Sequence, residues 1–160
     1  MKQDFVIRPL EAGDRDRIED YFDRLSGETK FFFNHHECNR QRFRDYFDGK
    51  IKNFTAFVAV DPESDLIAGM VFLSASHYLV PMLGIGLDDA YAGCGLGVRL
   101  MEFIHAYARK QGMGGILLNV HYANTRAQAL YIKMGYVQLG HSLQGQMLFI
   151  KYFTAEEPLQ

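Results

Sequence analysis

Between Leu87 and Gly97 the chain reads LDDAYAGCGLG, with glycines at 93, 95 and 97 set between an apolar strand pattern and an amphipathic helix. A glycine-rich turn that opens onto a helix leaves N–H groups without intrahelical partners, backed by the positive end of the helix dipole. That arrangement suits a phosphate or pyrophosphate. The same glycines also serve where a tight strand-to-helix turn is all that is needed, and the cluster alone leaves both readings open. Two better-known glycine motifs do not fit. A dinucleotide fingerprint requires a third glycine where Val98 stands, and a nucleoside-triphosphate loop requires Gly-Lys-Ser/Thr, which the segment lacks.

A second landmark follows at Asn124 to Tyr136, NTRAQALYIKMGY, at a separation that accommodates one helix and one strand. Together the two segments resemble the acetyl-CoA-binding core of the GNAT N-acetyltransferase superfamily. Its first motif runs Val-x-Pro-x-Tyr-Arg/Gln-Gly-x-Gly-x-Gly/Ala, matched by Leu87, Tyr91, Gly93, Gly95 and Gly97. Its second runs Asn-x-x-Ala-x-x-Leu-Tyr-x-x-x-Gly-Phe/Tyr, matched by Asn124, Ala127, Leu130, Tyr131, Gly135 and Tyr136. The resemblance extends from Phe5 to Tyr152. Ala92 replaces the usual Arg or Gln and Asp89 the usual Pro. The Arg/Gln position acts mainly through its backbone N–H, so the resemblance retains a donor site.

Composition bounds the rest. A chain of 160 residues, 48% of them apolar, suits one domain with a substantial core. Residues 4–153 form the expected core, and 154–160 a polar tail. A net charge of −2 and the absence of a basic cluster argue against nucleic acid as partner. The RQRFR stretch, Arg40 to Arg44, reads as a solvated helix face. Cys38 and Cys94 sit in unrelated contexts, which fits free thiols in a reducing, cytoplasmic setting. MKQDFVIRPL lacks the apolar run of a signal peptide, and no stretch is long enough to span a membrane. A homodimer is a common family assembly.

Apolar periodicity predicts strands at Phe5–Leu10, Phe54–Val60, Leu66–Ala75, Val80–Leu87, Gly114–His121, Tyr136–Leu139 and Met147–Phe153. Helices are expected at Asp14–Leu25, Asn39–Phe47, Gly95–Gln111 and Thr125–Lys133, with Ser26–Cys38 as a loop. The long helix is expected to bury Leu96, Leu100, Phe103, Ile104 and Tyr107. The fold class is α/β, in the sense of a twisted, mixed α+β sheet flanked by about four helices. The family resemblance adds a bulge that splays strands four and five. Gly84 and Gly86 strip one face of strand four, marking a bulge or a close backbone approach. By resemblance, the pantetheine arm of acetyl-CoA lies in that gap.

The resemblance implies transfer of an acetyl group to a primary amine by direct attack, through a tetrahedral intermediate. The donor contacts it implies are Ile85, Leu87, Ala92, Gly93, Cys94, Gly95, Leu96, Gly97, Asn124, Ala127 and Tyr131. Tyr131 takes the place of the family's general acid, and a backbone N–H near Leu87 that of the oxyanion donor. A phenol near ~10 protonating a thiolate near ~8.5 is slightly uphill, so the proton must move during C–S cleavage or the site must stabilise the phenolate. Without the motif, Tyr131 reads as a core aromatic, and Asn124 as a helix N-cap.

Strand four, VPMLGIGL, lacks the carboxylate that serves many members as base. His121, at the end of strand five, is the first candidate to replace it, and Asp88 the second; a free amine without a base is the alternative. Acceptor contacts are expected from the segment GETKFFFNHHEC, through Phe32, Phe33, His36 and Glu37, and from His141 and Gln144 on the last hairpin. Adjacent His35, His36, Glu37 and Cys38 do not make a metal site, because neighbouring residues rarely chelate one ion together. The modest charge favours a small-molecule amine over a protein N-terminus or lysine. A non-catalytic acyl-CoA-binding regulator and an interaction subunit remain the other classes.

Overall fold

Side chains alternate between two cores along the central strands. In β2 (Phe54–Val60), Phe57 and Ala59 join one cluster while Ala56, Val58 and Val60 join another. In β3 (Ile67–Ser74), Val71 and Leu73 face the first cluster, and Met70 and Phe72 the second. A strand buried on both faces must be central, and β3 indeed lies between two neighbours. The computed structural model describes residues 4–34, 39–141 and 145–154; His36, Glu37 and Gln144 lie outside the described residues.

Seven strands form one sheet in the order β1-β2-β3-β4-β5-β7-β6, with β1 at Val6–Pro9, β4 at Met82–Leu87, β5 at Gly115–His121, β6 at Val137–His141 and β7 at Gln146–Tyr152. All pairs are antiparallel except β4 and β5. On one face, α1 (Arg15–Asp23) and α3 (Arg40–Phe47) bury Ile18, Tyr21, Phe22 and Phe43. Phe43 meets the rings of Phe22, Phe54 and Phe72. Asn39 caps α3 by accepting from the Arg42 N–H at 2.9 Å. On the other face lies α4 (Leu96–Lys110), which buries Leu96, Leu100, Met101, Ile104, His105 and Ala108. Phe103 and Tyr107, expected within that stripe, are only partly buried and set their edges against Phe57. The fifth helix, α5, spans Thr125–Lys133.

Two sequence expectations need correction. Residues Gly27–Asn34, expected as loop, form a helix, α2, so the described residues hold five α-helices. The Ser26 hydroxyl accepts from the Thr29 N–H at 3.2 Å, a local cap that starts it. Nor does Gly84 leave room for a ligand: a Cβ there would lie 2.1 Å from Cζ of Phe72, its partner across the β3–β4 ladder. The ring covers the bare backbone and is itself fully buried. Six consecutive β3–β4 pairs run without a register shift, so this side of β4 carries no bulge. Gly84→Ala should therefore overpack a closed core and cost about 2 kcal/mol, measurable by urea denaturation.

A buried polar pair crosses from α4 to the strand side. His105 Nε2 and the Tyr136 hydroxyl lie 2.8 Å apart, both enclosed. Burial, reinforced by the charges of Lys151 and Arg109, lowers the His105 pKa to about 4. An unfolded histidine takes its proton near ~6.5, so the unfolded chain binds more protons between those values, and acid favours unfolding there. Stability should fall as pH drops from about 6.5 toward 4, by up to about 3 kcal/mol from this group. His105→Gln should flatten that part of the stability–pH curve.

Candidate active site

The parallel β4–β5 ladder contains a single register pair, Met82 with Leu117. Beyond it the strands part. The Asp88 N–H donates to the Ala68 carbonyl at 2.9 Å, which identifies the 88–68 pair as hydrogen-bonded in the antiparallel β3–β4 ladder. Hydrogen-bonded and non-bonded pairs alternate in such a ladder, so the N–H and C=O groups of Ile85 and Leu87 point away from β3, toward the gap. These groups line a cavity of about 510 Å³. The splay expected between strands four and five is present, although Gly84 does not make it.

The glycine turn forms one side of the cavity. Gly93 and Gly95 have φ of 77° and 84°, left-handed conformations that L side chains rarely adopt, and open space lies where a Cβ would stand. Gly95 is the N-cap of α4 and offers no side-chain acceptor, so the amides of the first turn are uncapped by any side chain. Gly97 differs: a Cβ there would press on Leu130 and Leu87, so this glycine allows α4 to pack closely against α5 and β4. The Tyr91 hydroxyl donates to Asp61 Oδ2 at 2.7 Å, anchoring the turn to the β2–β3 hairpin. Burial raises the pKa of this phenol.

The opposite side comes from α5. Asn124 caps it, accepting from the Ala127 N–H at 3.2 Å. Gln128 donates to the carbonyls of His121 and Tyr122 at 3.2 and 2.9 Å, tying α5 to the end of β5. Tyr131, 3% exposed, lines the cavity and stands with its ring 6.0 Å from Tyr136 and 6.5 Å from Phe149. Ala127, Leu130 and Arg126 complete this wall.

Helix α2 adds a third side. At its start, Asp89 accepts from the Ser26 N–H at 2.8 Å, the Ser26 hydroxyl at 3.2 Å and the Thr29 hydroxyl at 2.6 Å. Burial raises the Asp89 pKa, but these hydrogen bonds outweigh it and hold the carboxyl below its usual range. Further along, Phe31 and Phe32 set their rings 5.3 and 5.8 Å from that of His121. The helix thus bridges the ends of β4 and β5 and turns Glu28, Thr29, Phe32 and Phe33 to the cavity. Glu28 and Thr29 belong to the expected acceptor segment; Ser26 and Arg126 were not singled out by sequence reasoning.

Ile85, Leu87, Ala92, Gly93, Gly95, Leu96, Gly97, Asn124, Ala127, Tyr131, Phe32, Phe33, His121 and Asp88 all converge on this cavity. Two expected residues do not. The Cys94 thiol donates to the Tyr91 carbonyl at 2.8 Å and is exposed outside the lining. His141 lies exposed on β6, 3.3 Å from Gln138 Nε2. Geometry also redefines the base candidates. Asp88 is buried, ion-paired to Arg24 and bonded to the Ala90 N–H at 3.0 Å. His121 Nδ1 accepts the Ala123 N–H at 3.1 Å, which leaves the neutral ring's proton on Nε2. In that tautomer Nε2 carries the proton and has no lone pair in the ring plane with which to accept one from an amine. No group of three His, Cys, Asp or Glu side chains is placed to hold a metal ion among the described residues, and none of their helices is long and apolar enough to cross a membrane.

The Acetyltransferase (GNAT) family model matches residues 18–136, a span containing both motifs. This chain belongs to the GNAT acetyltransferase family. Its fold is similar to that of the GNAT domain of PAT from S. lividans, with a TM-score of 0.79 at 18% identity over 94% of this chain and 97% of that one. The ribosomal-protein-S5-alanine acetyltransferase from Vibrio fischeri aligns with a TM-score of 0.76 at 19% identity, over 96% of each chain. A spermidine N-acetyltransferase chimera with sequence from Vibrio cholerae gives 0.73 at 19%, over 92% and 95%. The curated proteins contain no match to this sequence.

Proposed function

We propose that the chain moves the acetyl group of acetyl-CoA to a primary amine of a small molecule. The observation that carries this reading is the parted β4–β5 edge, where the backbone groups of Ile85 and Leu87 face a cavity flanked by an uncapped helix start and Tyr131. An extended amide-bearing arm fits such an edge because it supplies the strand hydrogen bonds that β5 does not. Its pyrophosphate fits the left-handed turn at Gly93 and Gly95, where backbone N–H groups and the helix dipole favour an anion. Arg126 adds a cation on this side of the cavity, and the Asn124 side-chain N–H₂ remains available as donor because its oxygen serves the cap.

When bound, acetyl-CoA supplies a thioester carbonyl for attack and a thiolate leaving group. The Leu87 N–H stabilises the charge that develops on the carbonyl oxygen. Tyr131 donates its phenolic proton to the departing sulfur; its enclosure keeps bulk water from competing for that position. With Asp88 and His121 committed as described, the amine loses its proton to solvent before attack. Helix α2 sets Glu28, Thr29, Phe32 and Phe33 along the cavity, a carboxylate and apolar rings that suit a compact amine. The test is a free-thiol assay with acetyl-CoA and a panel of primary amines. Amine-dependent thiol release with a matching acetylated product supports the reading, and acetyl-CoA binding without transfer to any amine or peptide favours a regulatory role.

A further inference from the structure

Charge is divided unevenly along the cavity. Among the described residues its lining holds three carboxylates, Glu28, Asp88 and Asp89, and a single Lys or Arg side chain, Arg126. Arg126 belongs to the first turn of α5, beside Asn124 and Ala127, on the side assigned to the donor. The carboxylates belong to α2 and to the segment just past β4. Two are already satisfied: Asp88 by Arg24 and the Ala90 N–H, Asp89 by Ser26 and Thr29. Glu28 has no hydrogen-bond or ion-pair partner among the described residues, and it stands one helical turn from Phe32 on the cavity side of α2.

Resting on the transferase reading above, we infer that the acceptor is a small amine with an apolar or aromatic body and no carboxylate beside the amine, admitted by Glu28. The incoming ammonium meets the unpaired carboxylate, and its body lies against Phe32 and Phe33. An amino acid brings its own carboxylate toward Glu28 and Asp89, where the described lining places no Lys or Arg to receive it. Like charges about 6 Å apart in a partly screened site change affinity by about tenfold. The chemistry of transfer is unchanged: the ammonium gives one proton to solvent, the C–N bond forms and the C–S bond breaks, Tyr131 protonates the departing sulfur, and the second proton shed by the acylated nitrogen restores the phenol through solvent.

The matched pair 2-phenylethylamine and phenylalanine differs only by that carboxylate. With acetyl-CoA and the full chain, 2-phenylethylamine should show a kcat/KM at least about tenfold higher than phenylalanine. In Glu28→Gln the gap should shrink to within about threefold, chiefly through KM, with the melting temperature unchanged as control. Equal use of the two amines, preference for phenylalanine, a gap that survives Glu28→Gln, or better use of a hexapeptide N-terminus would each overturn the inference. Binding of acetyl-CoA with no turnover of any of the three acceptors would overturn it too. Failure to bind acetyl-CoA at all is a different result, since it removes the transferase reading itself.

Discussion

Tyr131→Phe is expected to lower kcat by about 10²–10⁴-fold while leaving the acetyl-CoA dissociation constant within about twofold of wild type. That loss corresponds to about 3–5 kcal/mol of transition-state stabilisation. The variant keeps the ring, so the contacts with Tyr136 and Phe149 and the cavity's shape persist. Only the proton donor disappears. A thiolate expelled into an enclosed apolar wall without a proton is a charge without compensation, which is why the effect should fall on kcat rather than on binding. Were Tyr131 merely a core aromatic packed near Ala127 and Met134, phenylalanine would retain nearly all the activity. Steady-state kinetics with calorimetric acetyl-CoA binding on the same preparations separates the two.

Asp88→Ala is expected to act on stability instead. The carboxylate is 2% exposed and serves Arg24 as well as the Ala90 N–H. Arg24 also donates to Asp20 at 3.0 Å and to the Ile67 carbonyl at 3.0 Å, so it cannot turn away without losing those bonds. Removing one partner of a buried pair strands the other; with Arg24 partly exposed, about 3 kcal/mol is the expected cost. For a chain of this size that lowers the melting temperature by about 10 °C. Activity per folded molecule should keep its wild-type pH profile. Loss of the acidic limb of that profile without loss of stability would return Asp88 to the role of base.

Tyr131, Asn124 and the glycine turn were legible because their spacing reflects local geometry: a cap, a helical repeat, a left-handed turn. The strands were legible because their apolar residues come in runs bounded by turns. What a residue meets across the sheet was not. Strand glycines announce a close approach, yet only the β3–β4 register shows that Phe72, rather than a ligand, approaches Gly84. Likewise α2 reads as loop in the sequence because three consecutive phenylalanines obscure helical periodicity, although Ser26 is a usable cap signal. Its second anchor, Asp89, lies 63 residues away in the chain, where Pro is usual in the family.

Candidate bases show the same limit from the chemical side. His121 and Asp88 have suitable side chains near the right strand ends, and alternation places them well. Whether each is available depends on partners at Ala123 and Arg24, which side-chain type alone does not disclose.

The central claim is that the gap between β4 and β5 is an acetyl-CoA site serving acetyl transfer. Calorimetric titration with acetyl-CoA, using desulfo-CoA and ATP as comparators, tests it most directly. Micromolar acetyl-CoA binding, retained by desulfo-CoA and absent with ATP, is the predicted result. No heat with either CoA compound, or equal heat with ATP, would contradict the account.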